Sequence, residues 1–343
     1  MRIVVIGGTG FLGGKTVDAL KRFPDVSVEI ASRRGPIVVD LSRPETFEGL
    51  RGADVLIDLT DGTRSQPDAL ARWCLSNGLT LIEATSDADT IRRLREALGS
   101  IDGPGCVILG GGIFTGVSNL MARRVADDVG EGSTLTWAVA SSPYSGAGKG
   151  TIALMVEASA RPAVSTVNGR RVESTLSAGP RLTIAGTTRP TLRMSLAESE
   201  MLPTSTKAAT VETYFAPKPG FLVTAFTMIP TVLLRQRWFL AMFEVCFILL
   251  RRFVLRSVPS AVEMVARAER GRAASERHVT CSDGMEAAAW ALAAMAEAIA
   301  KRRPRAGLGF IDDATSLELI SSRVNEVAGR VVLQVSSPHD PPG

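Results

Sequence analysis

The run Ile3-Val4-Val5-Ile6 passes without a break into Gly7-Gly8-Thr9-Gly10-Phe11-Leu12-Gly13-Gly14, and this junction limits the fold more than any other stretch of the chain. Four consecutive β-branched residues read as a buried strand, and Lys15 to Leu20 reads as an amphipathic helix. A strand that opens directly into a glycine turn and then a helix is the setting of a dinucleotide-binding fingerprint. Gly8-x-Gly10-x-x-Gly13 and Gly7-x-x-Gly10-x-x-Gly13 both have its spacing. The chemistry needs glycine because the tight turn requires unusual backbone angles, the pyrophosphate must approach the backbone, and helix and strand must pack closely. Gly7, Gly8, Thr9, Gly10, Phe11, Leu12 and Gly13 are therefore expected to hold phosphates at a helix amino terminus. A signal peptide has a different layout.

The next strand reads as Val26 to Ala31, and the residue that accepts the adenosine ribose hydroxyls should follow it. Here the chain reads Ser32-Arg33-Arg34, with no carboxylate at the strand end. A hydroxyl and two guanidiniums offer charge-assisted bonds to a 2′-phosphate, which favours NADP over NAD. The plainer alternative is that Arg33 and Arg34 only solvate a loop. Glu29 stands too early to serve.

Short apolar strands continue at Ile37 to Leu41, Val55 to Leu59, Leu79 to Glu83 and Val107 to Leu109. Helical stretches at Arg43 to Leu50, Gln66 to Ser76, Ala88 to Leu98 and Val117 to Val129 lie between and after them. Strand and helix alternating at this pace predict a doubly wound parallel sheet, the Rossmann arrangement, over residues 1–125. Ligands of such sheets lie beyond the strand carboxyl ends. Asp40 and Leu41 should then border the adenine, Thr60 and Asp61 the pyrophosphate or nicotinamide ribose, and Ala84 and Thr85 the nicotinamide. Helix capping is the competing use of Thr60, Asp61 and Asp87.

Residues 126–304 read as a second, α+β domain with a mostly antiparallel sheet, and residues 305–343 are expected to return to the first domain. Leu135 to Ala140 alternates like a strand. Val164 to Val167, Asn168-Gly169 and Arg171 to Thr175 form a hairpin signal. Leu182 to Ala185, Leu192 to Leu196 and Ala209 to Phe215 add strands, and Asp283 caps an Ala-rich helix over Met285 to Lys301. Such a sheet suits a homodimer interface or a cap over a cofactor cleft.

Charge and composition exclude several functions. Lys plus Arg number 39 against 35 Asp plus Glu, a formal charge of +4 spread along the chain, so nucleic acid is not expected as a partner. Cys74, Cys106, Cys246 and Cys281 form no CxxC pair and read as reduced and buried. His278 and His339 are the only histidines, so neither a metal site nor a Ser-His-Asp triad is expected.

Residues 221–250 hold five of the twelve phenylalanines, in two apolar runs parted by Arg235-Gln236-Arg237. Each run is shorter than the roughly 20 residues of a membrane-spanning helix. A buried helix pair, a dimer contact, a peripheral membrane contact and an apolar substrate wall all fit it. The protein is expected in the cytoplasm, or at the inner face of the membrane if this segment makes the contact.

For catalysis, the loop Ser141 to Lys149 offers Tyr144 and Lys149 as proton donors, although an exposed lysine is also the default surface residue. Glu198, Glu200 and Tyr214 could line a pocket, and Arg161, Arg170 and Arg171 could receive a carboxylate. An NADP-binding sensor or scaffold without turnover is the rival from another class, supported by the scarcity of catalytic side chains.

The run Ile6 to Gly13, the strand Ala53 to Asp58, the segment Ile108 to Ala122 with Gly110-Gly111-Gly112, Gly148-Lys149-Gly150-Thr151 and the Ala-rich helix after Ser282-Asp283-Gly284 together resemble the saccharopine dehydrogenase-like reductases. The resemblance covers most of the chain and is carried chiefly by residues 1–155. It implies an NADP-dependent reductase of a small metabolite, with the dinucleotide domain first and a mixed domain holding the substrate. Phe114, Thr115 and Thr151 are the positions that it places toward the substrate. Where the family commonly carries a proline before the loop glycine, this chain has Thr115.

Overall fold

Parallel strands covered on both faces must be apolar on both faces, and the first strands obey this: Ile3, Val4, Val5 and Ile6 are all at most 1% exposed. The computed structural model describes residues 1–60, 66–142, 149–234, 236–253 and 260–338. The chain divides into two units, Met1–Leu120 with Glu286–Val332, and Met121–Met285 with Leu333–Gly343.

In the first unit β1 (Arg2–Ile6), β2 (Ser27–Ser32), β3 (Ile37–Val38), β4 (Val55–Asp58), β5 (Thr80–Glu83) and β6 (Cys106–Leu109) form a parallel sheet in the order 6-5-4-1-2-3. Helices α1 (Phe11–Leu20), α2 (Pro67–Ser76), α3 (Ala88–Leu98) and α4 (Ser118–Val129) follow β1, β4, β5 and β6. The strand order reverses between β1 and β4, where Ile6 pairs with Ala31 on one side and Asp58 on the other. This is the doubly wound architecture that the alternation predicts.

Three elements differ from the sequence expectation. The third strand stops at Val38, because the Asp40 N–H donates to Thr46 Oγ1 at 3.0 Å and its carboxylate accepts from Ser42 N at 3.0 Å, turning the chain. The helix expected from Arg43 is a 3-10 helix, Pro44–Leu50. A further parallel strand, Gly307–Phe310, extends the sheet beside β6. Its two glycines hide it from any propensity reading.

The Ala-rich helix Gly284–Lys301 also lies mostly in the first unit, from Glu286, rather than in the second domain as expected. Small residues explain the change. A Cβ at Gly111 would come within 2.6 Å of Leu292, and one at Gly116 within 3.0 Å of Met295, so the loop after β6 and this helix approach closely. The return to the first unit ends at Val332, and Gln334–Ser336 pairs instead with the strand Ala273–Cys281 of the second sheet.

The second unit is built on β7 (Thr134–Ser141), which pairs parallel with Thr210–Pro217 and antiparallel with Val262–Arg270. The latter pairs antiparallel with Ala273–Cys281, so the sheet is mostly antiparallel. Helix α5 (Lys149–Ala160) precedes the hairpin β8 (Ala163–Val167) and β9 (Arg170–Ser174), whose turn takes positive φ at Asn168 (50°) and Gly169 (74°). Asparagine and glycine are the residues that tolerate those angles. Helix α6 (Glu198–Thr206) leads into Thr210–Pro217, and the apolar segment becomes α7 (Leu222–Thr227), α8 (Thr231–Leu234) and α9 (Arg237–Phe253). Among the described residues no helix is long and apolar enough to cross a membrane.

Candidate functional site

Beyond the carboxyl end of β1 the chain turns through the glycines, and the geometry shows why each is needed. Gly7 has φ +79°, and a Cβ there would lie 3.1 Å from the Leu59 carbonyl at the end of β4. A Cβ on Gly13 would lie 2.2 Å from Gly7 O, and one on Gly10 3.1 Å from the same atom. The turn is closed by Gly10 N donating to Gly7 O at 2.9 Å. Its missing side chains leave a backbone cradle at the point where the strand order reverses, the place where doubly wound sheets receive ligands.

Helix α1 starts from this cradle with Gly10 at its N-cap, no side-chain cap and no acid in its first turn. Helix geometry leaves the first-turn amides without acceptors inside the helix, so they are available to an anion. Thr9, Gly10 and Phe11 are exposed. Lys15 Nζ lies 5.6 Å from the Phe11 ring, which brings a cation to the same mouth. These observations fit a dinucleotide pyrophosphate.

At the end of β2, Ser32 Oγ accepts from Arg34 N at 3.4 Å and Ser32 O from Gly35 N at 3.3 Å, forming a turn that presents Arg33 and Arg34 to solvent. Neither guanidinium is ion-paired with a carboxylate among the described residues. Glu29, the acid within β2, is taken by Arg2 through two bonds of 2.9 and 3.1 Å, and that pairing lowers its pKa. Asp40 is likewise engaged: its bonds to Ser42, with Arg43 and Arg33 nearby, hold its carboxyl below the ordinary range. Leu41 is buried.

The strongest electrostatic feature of this edge is a pair of buried acids. Asp58 ends β4, Glu83 ends β5, and the two face each other in register, each 1% exposed. Asp58 Oδ1 accepts from Thr60 N at 2.8 Å, whereas Asp58 Oδ2 and Glu83 Oε2 have no donor among the described residues. Burial raises both acids, and the Asp58 charge raises Glu83 further. Burial of two adjacent carboxyls favours holding one proton between them, which would satisfy both orphaned oxygens. Buried Cys74 lies beside them, its thiol pushed up by burial and by both acids.

This pair is tied to the cradle through the backbone. Asp58 holds the Thr60 amide, and a Cβ at Gly7 would lie 3.3 Å from that same nitrogen. Ala84 N donates to Asp58 O at 3.2 Å. Thr85 Oγ1 accepts from Asp87 N, and Thr85 O accepts from Thr115 Oγ1 at 3.1 Å. Thr115 is fully buried at φ +59°, a rare angle for a β-branched residue, and its hydroxyl ties the loop after β6 to the loop after β5. Phe114 beside it is partly exposed.

The first unit therefore gathers the glycine turn, Ser32 to Arg34, Thr60, Ala84, Thr85, Phe114 and Thr115 along one sheet edge. Asp61 and Tyr144 lie outside the described residues, while Lys149 and Thr151 stand in the first turn of α5 in the second unit. The acid pair is the feature that sequence reasoning missed as a pair. The signal was present, because Val-Leu-Ile-Asp and Thr-Leu-Ile-Glu are adjacent apolar strands with the same ending.

Side chains considered for the second unit have partners of their own. Tyr214 accepts from Arg193 Nη2 at 2.8 Å, with burial and Glu212 raising its pKa. Glu200 binds Arg171 at 2.5 Å, and Arg161 binds Glu157 at 3.0 Å. His278 is engaged by Ala185 N and Glu276. Among the four cysteines, Cys74, Cys106 and Cys281 are buried, but Cys246 is exposed on α9, contrary to expectation.

No protein-family model matches the chain, and no curated protein does. Solved structures similar over the whole chain include DAP dehydrogenase of C. glutamicum in complex with DAP, at 14% identity, covering 97% of this chain and 99% of that one, TM-score 0.49. An engineered D-amino acid dehydrogenase bound to NADP+ matches at 13% identity, 97% and 99% coverage and TM-score 0.47. A Gfo/Idh/MocA family oxidoreductase from Vibrio cholerae matches at 11% identity, 96% and 100% coverage and TM-score 0.37.

Proposed function

We propose that this chain is an NADP(H)-dependent oxidoreductase of the saccharopine dehydrogenase-like type, acting on an imine, carbonyl or enoyl group of a small metabolite. One observation carries the reading: a glycine cradle at the strand-order reversal, followed at the end of β2 by two exposed guanidiniums that form no ion pair among the described residues, with no carboxylate at the strand end. When bound, NADP(H) supplies or accepts the hydride. The α1 amides, with Lys15 beside them, hold the pyrophosphate, and Ser32, Arg33 and Arg34 receive the 2′-phosphate. Asp40 and Leu41 border the adenine, Thr60 and Asp61 the nicotinamide ribose, and Ala84 and Thr85 the nicotinamide. The Asp58 carboxylate fixes the Thr60 backbone, and the Asp58 carbonyl holds the Ala84 amide.

Phe114 faces the substrate, and Thr115 fixes its backbone from beneath. Tyr144 and Lys149 donate the proton that a reduced imine or carbonyl requires. The test is NADPH oxidation followed by absorbance across a panel of imines, carbonyls and enoyl compounds. Tyr144→Phe should lower kcat by about 10²- to 10⁴-fold, with NADPH affinity unchanged. Unchanged turnover would remove Tyr144 from the proton path, and no oxidation with any class would leave only a nucleotide-binding role.

A further inference from the structure

Helices α7 to α9 carry an apolar surface that the fold of the second unit does not cover. On α9, Trp238, Met242, Val245 and Leu249 are 62%, 46%, 55% and 48% exposed. Their spacing of four, three and four residues puts them on one face, where Ala241 and Cys246 are exposed as well. The opposite face is the packed one: Phe243 stacks on Phe239 and meets Phe226 of α7 edge to face, both at 5.7 Å. Phe221, Met228 and Val232, at 65%, 77% and 70%, extend the exposed surface along α7 and α8. A globular protein rarely leaves such a stripe in water without a use for it.

Charge decides between the possible occupants. From Pro219 to Leu234 there is no charged residue, and within α9 Glu244 is the only acid, with Arg237 at one end and Arg251-Arg252 at the other. Cations at both ends disfavour a second copy of the chain. Arg237 also stands at the amino end of its helix, where the helix dipole repels a cation, and it meets no carboxylate among the described residues. An anionic surface accounts for both ends. At a rise of 1.5 Å per residue α9 is about 25 Å long, short of the roughly 30 Å hydrocarbon core, so it suits lying in the plane of a membrane rather than crossing it.

We propose that α7 to α9 form an interfacial anchor that seats the second unit on an anionic lipid surface, with the Trp238 to Leu249 face among the acyl chains and Arg237 at the phosphates. The inference is independent of the cofactor assignment.

The test is co-sedimentation of the full chain with vesicles of phosphatidylcholine alone and of an equimolar phosphatidylcholine–phosphatidylglycerol mixture. The chain should bind the mixed vesicles, more weakly at high salt, and Met242→Ser with Val245→Ser should lower that binding by about tenfold or more. Both residues point outward, so an unchanged melting temperature shows that the variant is folded. Arg237→Glu should weaken binding to the mixed vesicles. Three results would overturn the proposal: full chain left in the supernatant, a double variant that binds as the parent does, or a dimer in solution that the double variant converts to monomer.

Discussion

Gly13→Ala is expected to remove dinucleotide binding and to destabilise the first unit by about 2–3 kcal/mol. The added Cβ would lie 2.2 Å from Gly7 O and 2.8 Å from Gly8 Cα, and neither neighbour is a side chain that can rotate away. Helix α1 must therefore back off from the turn, which moves the first-turn amides from the cradle. A loss of that size corresponds to a fall in melting temperature of about 4–12 °C for a domain of this class. Calorimetry and NADPH fluorescence on the same sample check both parts. Gly14→Ala is the control, since its Cβ would meet nothing closer than 3.9 Å. Equal behaviour of the two variants would show that the close approach is not what the turn requires.

Glu83→Ala is expected to cost about 3–5 kcal/mol, because it leaves the buried Asp58 carboxylate without the proton that satisfies its second oxygen. Glu83→Gln should cost far less, since its amide N–H can donate to Asp58 Oδ2 while no second negative charge is created. The two variants also separate in pH. Burial and the Asp58 charge hold the Glu83 carboxyl well above its ordinary value, and burial raises Asp58. Above the ordinary carboxylate range, about pH 4, the folded pair keeps a proton that the unfolded chain has released. Stability from this source is therefore complete below that range and is lost as pH rises through the raised folded values. Denaturation measured from acid to mildly alkaline pH should show the parent losing stability relative to Glu83→Gln as pH increases. Parallel profiles would show that no shared proton exists.

The parallel sheet was legible because its strands are continuous apolar runs and its turns carry glycine at fixed spacing. Gly307–Phe310 escaped because its partner β6, rather than its own composition, makes it a strand. The Ala-rich helix was plain as a helix, but its unit was not. That depends on how closely alanine faces approach Gly111 and Gly116, which are distant in sequence. The third strand read too long because the Asp40 turn depends on Thr46, whereas the helical stretch over Arg43 to Leu50 is present as a 3-10 helix, Pro44–Leu50. In the candidate site, the glycine turn and the Ser32-Arg33-Arg34 end were readable one residue at a time. The Asp58–Glu83 pair requires knowing that β4 and β5 are neighbours in register, which a linear reading does not supply. For the apolar segment, the sequence left four uses open, and the exposed face of α9 depends on a helix packing that a linear reading does not supply.

The central claim is that the cradle takes NADP(H) and that the arginines beyond β2 read its 2′-phosphate. Titration of the full chain with NADPH and with NADH, followed by nicotinamide fluorescence and repeated on Arg33→Ala, tests it most directly. The account predicts saturable NADPH binding tighter than NADH, with Arg33→Ala losing about 1.5–3 kcal/mol toward NADPH and little toward NADH. NADH binding as tightly as NADPH, or an Arg33→Ala that weakens both equally, would contradict the phosphate assignment. Absence of binding by either nucleotide would contradict the account at its root.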